Sequence, residues 1–250
     1  MLPMKITIVI SYYQRLDQLI NTLDSFRQYK DINVVIVDDN SPDDIQIQPY
    51  QFPIDILKLK EKHWIAPCPV FNFGFVYALK SSPDAIIIQN AECYHRGDII
   101  GYVRANLTQL NYLSFACYSL GQGEGVDFTA FNNKTAASTG DSAWYNHSVW
   151  RPEALNFCCA ITTENLRKIN GFDERFSDGL GYEDNYFIHQ VRTLGLRVKI
   201  VDDPFVLHQY HYDSKAFTFN QYQYALNGTL CRELMREKNY KAVHKFTPDL

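Results

Sequence analysis

Asn33-Val34-Val35-Ile36-Val37-Asp38-Asp39-Asn40-Ser41-Pro42 is the stretch that decides the architecture. An apolar run gives way within one residue to Asp, Asn, Ser and Pro. The run (residues 33–37) reads as a buried strand and the polar cluster as the turn that ends it. Upstream, Ile6-Thr7-Ile8-Val9-Ile10-Ser11 has the character of a strand buried on both faces. Between the two, Leu16, Leu19, Ile20, Leu23 and Phe26 recur at helical spacing, which predicts a helix over 16–28. Downstream the alternation continues: a weaker strand over 54–59, a helix over 71–79, a strand over 84–88, a helix over 98–107 and a strand over 112–118. Strand and helix in this order imply an α/β fold with a largely parallel sheet and right-handed crossovers. Ligands of such sheets sit beyond the carboxyl ends of the strands, where Asp38-Asp39 and Glu92 both fall.

Residues 121–152 change character, small and polar first and then Trp144-Tyr145-Asn146-His147, with Trp150-Arg151-Pro152 after them. A loop of this length in a compact domain is often a binding loop, and residues 144–151 are the candidate flap. A strand over 157–162, a short helix over 164–169, a helix over 186–194, a strand over 197–201 and a helical tail beyond 219 complete the reading.

With 250 residues, 46% of them hydrophobic, the chain can bury a substantial core. A net charge of −4 argues against a face for duplex nucleic acid. No GxGxxG follows the first strand and no P-loop pattern occurs, which disfavours a dinucleotide fold and a P-loop ATPase. The six cysteines include no CxxC pair and read as reduced, buried thiols of a cytoplasmic protein, with peripheral membrane attachment as the variant reading. The first apolar run is too short to span a membrane, and no transmembrane segment is expected. Asn227-Gly228-Thr229 fits a glycosylation sequon.

Several constellations carry chemistry. Gln89-Asn90-Ala91-Glu92 follows a hydrophobic strand and sets oxygen-bearing side chains where Mg²⁺ or Mn²⁺ could bridge to a diphosphate, although Glu92 alone is charged. His208 and His211 would share a face in a helical turn and oppose each other in an extended segment. Gly179-Leu180-Gly181-Tyr182-Glu183-Asp184-Asn185 places two carboxylates near a helix start. Acids there complement the helix dipole, and one so held could also take a proton from a hydroxyl.

In order and spacing these segments resemble the GT-A glycosyltransferases, family 2 and its relatives among chondroitin polymerases, β-1,4-galactosyltransferases and polypeptide N-acetylgalactosaminyltransferases. The resemblance implies a single Rossmann-like GT-A domain. Residues 1–118 would form the nucleotide-sugar half, 119–219 the acceptor and catalytic half, and 220–250 a helical tail. It implies inverting transfer from a UDP-sugar to a glycan or glycoconjugate hydroxyl, with a divalent cation, Mn²⁺ or Mg²⁺. Asp184 would be the general base and Glu183 would hold the acceptor. Asp39 and Ser11 would line the nucleotide pocket, and Asn72, with His63 and Gly74, would pack the donor. Asn90-Ala91-Glu92 stands where the family has Asp-x-Asp, so Glu92 with His208 or His211 would hold the metal and Asn90 would face ribose or metal. A retaining transferase and a degenerate, non-catalytic binding module are the alternatives.

Overall fold

A computed structural model of the chain describes residues 3–122, 124, 143–211, 220–243, 245, 247–248 and 250. Its centre is a nine-stranded sheet in the order β3-β2-β1-β4-β8-β6-β9-β5, with β7 paired to β6. The strands are β1 (Ile6–Tyr12), β2 (Ile32–Asp38), β3 (Ile54–Lys58), β4 (Ala85–Asn90), β5 (Cys93–Arg96), β6 (Asn111–Ser119), β7 (Trp144–Asn146), β8 (Cys158–Thr162) and β9 (Arg197–His208). The helices are α1 (Leu16–Asp24), α2 (Cys68–Ala78), α3 (Ile99–Asn106), α4 (Thr163–Ile169), α5 (Glu183–Thr193) and α6 (Gln221–Arg236).

The two-residue period of a strand divides the core into layers. Ile6, Ile8, Ile10, Val34, Ile36 and Ile87 face one side, where they meet Leu19 and Leu23 of α1 and Ile99, Ile100 and Val103 of α3. Val9, Val35, Val37, Ile86 and Ile88 face the other, against Val70, Phe71 and Phe75 of α2 and Phe187 and Val191 of α5. Strands covered on both faces have no polar alternation to show, which is why they read as unbroken apolar runs.

β2, β1 and β4 run parallel, with Ser11 opposite Val37 on one side and Asn90 on the other. Their carboxyl ends therefore share one edge. β8 is antiparallel to β4, with Cys158 opposite Gln89, so the residues just before β8 enter at that edge too. β9 runs parallel to β6, and at its end His208 pairs with Cys93 of β5. These pairings alone carry residues from distant parts of the chain to one place.

Several elements depart from the sequence expectations. α2 begins at Cys68, ahead of the predicted 71, because Pro69 opens the helix where its missing N–H costs nothing. β9 runs to His208, well past the predicted 201, through Asp202-Asp203-Pro204 and a shifted register opposite β6. β5 and β7 were not foreseen. Trp144–Asn146 is strand, with Trp144 buried against Tyr118 and Phe205, which removes it from the candidate flap. The neighbouring turn is pinned: Ser148 donates its backbone N–H and its hydroxyl to Asp202. Of the long excursion, residues 123 and 125–142 lie outside the described residues.

Gly74 lets α2 lie close on the sheet. A Cβ there would stand 2.4 Å from Val9 Cγ1 and 2.9 Å from Val37 Cγ2. Both are branched side chains of central strands with no room to yield. Gly74→Ala is therefore expected to cost about 1–3 kcal/mol in urea unfolding, and an unchanged midpoint would contradict this packing.

Candidate active site

At the shared edge, the tight turn between β4 and β5 presents Glu92. Gln89 spans the turn, its amide donating to Cys93 O at 2.6 Å, while His95 meets its Oε1 at 3.1 Å. Glu92 is buried and receives three basic groups on one oxygen. Arg15 Nη1 lies 2.8 Å from Oε1, His208 Nε2 3.3 Å and His211 Nε2 3.9 Å. Burial would raise the Glu92 pKa; the His208 hydrogen bond and the charges of Arg15 and the histidines outweigh it and hold the carboxyl well below the usual range.

His211 reaches Glu92 without a helical turn. Residues 209–211 have no regular structure, and Gln209 anchors them. Its backbone N–H and its amide donate to Glu92 O, and the amide also donates to Gln18 O and Thr22 Oγ1 of α1. Tyr145 and Phe157 flank His208 edge-on, with ring centroids 5.1 and 5.7 Å away.

One carboxylate oxygen and two imidazole nitrogens of Glu92, His208 and His211 lie within 4.8 Å of one another. That donor set suits Mn²⁺ better than Mg²⁺, since imidazole favours the softer ion. The residues present fit a divalent cation.

On the β2 side, Asp38 Oδ1 accepts the Ser41 N–H at 2.8 Å and closes the turn. Asp39 is buried and paired with Lys62, which also lies over the Tyr13 ring. Desolvation raises the Asp39 pKa, against the opposing pull of Lys62 and the nearby Trp64 indole. Asp39 Oδ1 is buried without a hydrogen-bond partner, an acceptor a ligand N–H could use. Ser11 and Asn90 lie next to each other across β1 and β4 at the same edge.

The acidic pair opens α5. Tyr182 precedes it with φ 74°, and Gly181 before that has φ 92°. Asn227 of α6 shapes this loop, its amide donating to the carbonyls of Phe176, Gly179 and Gly181. Gly179 and Gly181 are needed for contact: a Cβ would meet Gln223 Cγ at 2.3 Å and Tyr224 Cε2 at 2.6 Å. The asparagine of the glycosylation sequon is thus a buried brace, with Asn227 1% exposed.

Asp184 is held by Asn156, whose backbone N–H donates to Oδ2 at 3.2 Å and whose amide donates to Oδ1 at 3.0 Å. The next residue, Phe157, packs on His208 and takes the Asn90 N–H on its carbonyl at 3.1 Å. Consecutive residues therefore join the acidic pair to the histidine group. Burial raises both acids: Glu183 reaches about 8, with the Asp184 charge adding to the effect, while at Asp184 the Asn156 donors oppose the rise.

Asn72 is not free to meet a donor in this arrangement. It is fully buried, its amide donates to Phe172 O and Glu174 Oε1, and its Oδ1 accepts the Phe172 N–H, which makes it a stitch between α2 and the loop before α5. His63 is exposed and pairs with Glu61. Sequence reasoning missed Arg15, Lys62, Tyr145, Asn156 and Asn227. Arg15 and Asn156 carry no motif, and only the fold brings them to their carboxylates.

A carboxyl whose proton affinity rises on folding stabilises the fold while protonated. For Glu183 that contribution is complete below the ordinary value of 4.5 and is lost as pH climbs toward about 8. Glu183→Gln stays neutral throughout, so its melting temperature should gain on that of the native chain between pH 5 and pH 9. An equal difference at both ends of that range would refute the assignment.

Comparison with known proteins bears on the fold. A family model described as glycosyl transferase family 2 matches residues 7–104, and one described as the N-terminal domain of galactosyltransferase matches residues 152–212. No curated protein matches the chain by sequence. Among solved structures, TarS 1–349 of S. aureus in complex with UDP is similar at TM-score 0.62 and 13% identity, over 94% of this chain and 65% of that one. The same protein in complex with UDP-GlcNAc gives TM-score 0.58 at 13% identity, covering 86% and 62%. A mannosyltransferase of Pyrobaculum calidifontis in complex with GDP-Man and Mn²⁺ gives 0.54 at 14%, covering 86% and 59%. The chain thus spans less than two thirds of these relatives, and at such identities the likeness is one of fold. With the two matched segments in order along one sheet, the chain has the GT-A fold and is similar to family 2 glycosyltransferases over residues 7–104.

Proposed function

We propose that the chain is an inverting, cation-dependent glycosyltransferase that moves a sugar from a nucleoside diphosphate donor, a UDP-sugar, to a hydroxyl of a glycan or glycoconjugate. The observation that carries the reading is the convergence, through Asn156 and Phe157, of the Asp184 carboxylate with the Glu92-His208-His211 group at one sheet edge.

The nucleotide base lies against Asp39, whose unpartnered Oδ1 suits a ring N–H, with Ser11 beside it. Residues 1–118 then serve as the donor half and 119–219 as the acceptor half, with the helical tail bracing the acidic loop through Asn227. A divalent cation held by Glu92, His208 and His211 would neutralise charge on the leaving diphosphate. Asp184 takes the proton of the acceptor hydroxyl as its oxygen bonds to the anomeric carbon. The bond from that carbon to the diphosphate oxygen breaks, and the nucleoside diphosphate departs with the electron pair. Glu183 sits beside the base and holds the acceptor. Asn90, neutral where the family has an acid, leaves Glu92 as the one carboxylate of its turn, with the two histidines completing the donor set.

All six cysteines are free and buried, which supports a reducing compartment. No helix among the described residues is long and apolar enough to cross a membrane.

Two variants test the roles separately. With the UDP- or GDP-sugar that gives the largest Mn²⁺-dependent thermal shift, Asp184→Asn should lower nucleotide release by about a thousandfold while leaving the shift intact. Full turnover in this variant would rule out Asp184 as base. Glu92→Gln should weaken Mn²⁺ binding in calorimetry by at least about tenfold, and unaltered affinity would remove the cation from this group. Binding of every donor without release by the native chain would favour a non-catalytic module.

A further inference from the structure

The carboxylate assigned as base is held by one residue on both oxygens, and that residue is itself held. We propose that Asn156 is the positioning residue that aims Asp184, and that the Tyr112 hydroxyl fixes Asn156 in the one amide orientation able to do so. The inference rests on the reading of Asp184 as the base.

Asn156 donates its backbone N–H to Asp184 Oδ2 at 3.2 Å and its side-chain N–H to Oδ1 at 3.0 Å. One donor on each oxygen fixes the plane of the carboxylate, which otherwise turns freely about its last bond. Each oxygen keeps further lone-pair capacity for a substrate proton. The amide could present either end to Asp184. A flipped amide would set its carbonyl oxygen against the carboxylate, and the Tyr112 hydroxyl would lose its acceptor. With the hydroxyl donating to Asn156 Oδ1, the flip is excluded. Asn156 is 3% exposed and Tyr112 fully buried, so water cannot stand in for either contact.

The clamp has a second consequence. Burial favours the neutral acid at this site, whereas a general base must be ionised; the Asn156 donors act in favour of the ionised form. Ionisable groups face Asp184 from each packed element: Glu183 on α5, Cys68 on α2, Cys159 on β8 and Tyr112 on β6. Burial pushes Cys159 up to about 12 and Cys68 and Tyr112 well above their ordinary values. Near neutrality, therefore, these two thiols and the phenol carry no charge.

The test compares Asn156→Ala and Tyr112→Phe with the native chain, with Asp184→Asn as reference. The side-chain carboxyl carbon of Asp184 is followed by NMR across pH, identified by its loss in Asp184→Asn, alongside pH profiles of kcat and donor KM. In Asn156→Ala the titration midpoint of Asp184 should rise by about one pH unit, and kcat at pH 7 should fall about tenfold with donor KM unchanged. Tyr112→Phe keeps the amide but frees its orientation, so it should shift the midpoint the same way by less. Thermal melting reports folding; if Asn156→Ala does not fold, Tyr112→Phe decides. An unmoved midpoint with unmoved kcat in a folded variant overturns the proposal and leaves Asn156 as the residue that closes the turn before β8. Full turnover in Asp184→Asn instead removes the base assignment, while the NMR midpoint still reports whether the clamp exists.

Discussion

Burial of the central strands on both faces is the constraint from which the rest follows. A strand such as β1, with Ile8 in one apolar layer and Val9 in the other, can lie only between covering helices. Parallel neighbours joined by those helices must all end at the same edge. That edge is where Asp39, Asn90 and Glu92 leave the sheet, and where the antiparallel entry of β8 delivers Asn156 and Phe157. No side chain in the site selects this location. Sheet topology does, and the polar residues exploit it.

The site has two electrostatic regimes. At Glu92, basic partners gather on one buried oxygen and hold its carboxyl below the usual range. At Glu183 and Asp184 burial raises both carboxyls; the Asp184 charge adds to the rise at Glu183, and Asn156 opposes it at Asp184. Two acids beside each other in differing hydrogen-bond environments can then divide their labour.

The fold was legible in the sequence wherever burial dictated the pattern. β1, β2, β4 and β8 announced themselves as apolar runs, and α1 by its spacing. β5, Cys93-Tyr94-His95-Arg96, is short and polar at the sheet edge and carries no such pattern. The far half of β9 was hidden by Asp202-Asp203-Pro204, which reads as a strand end until the register shift opposite β6 makes room for it. Among candidate site residues, Glu92, His208 and His211 stand out in sequence because acids and histidines near strand ends are distinctive, and the fold brings the three together. Asn72 was misplaced because a buried amide and a ligand-facing amide look alike in sequence. Asn156 and Asn227 were invisible for the converse reason: their importance lies in carbonyls and carboxylates that folding brings to them.

The central claim is a single displacement with Asp184 as base, and the stereochemistry at the anomeric carbon tests it most directly. Proton NMR of the first sugar product released from an α-linked nucleotide-sugar, recorded before mutarotation, reads that configuration. The geometry described here predicts the β-anomer. An α-configured first product would contradict it and leave the Glu92-His208-His211 group serving a retaining reaction on the same sheet.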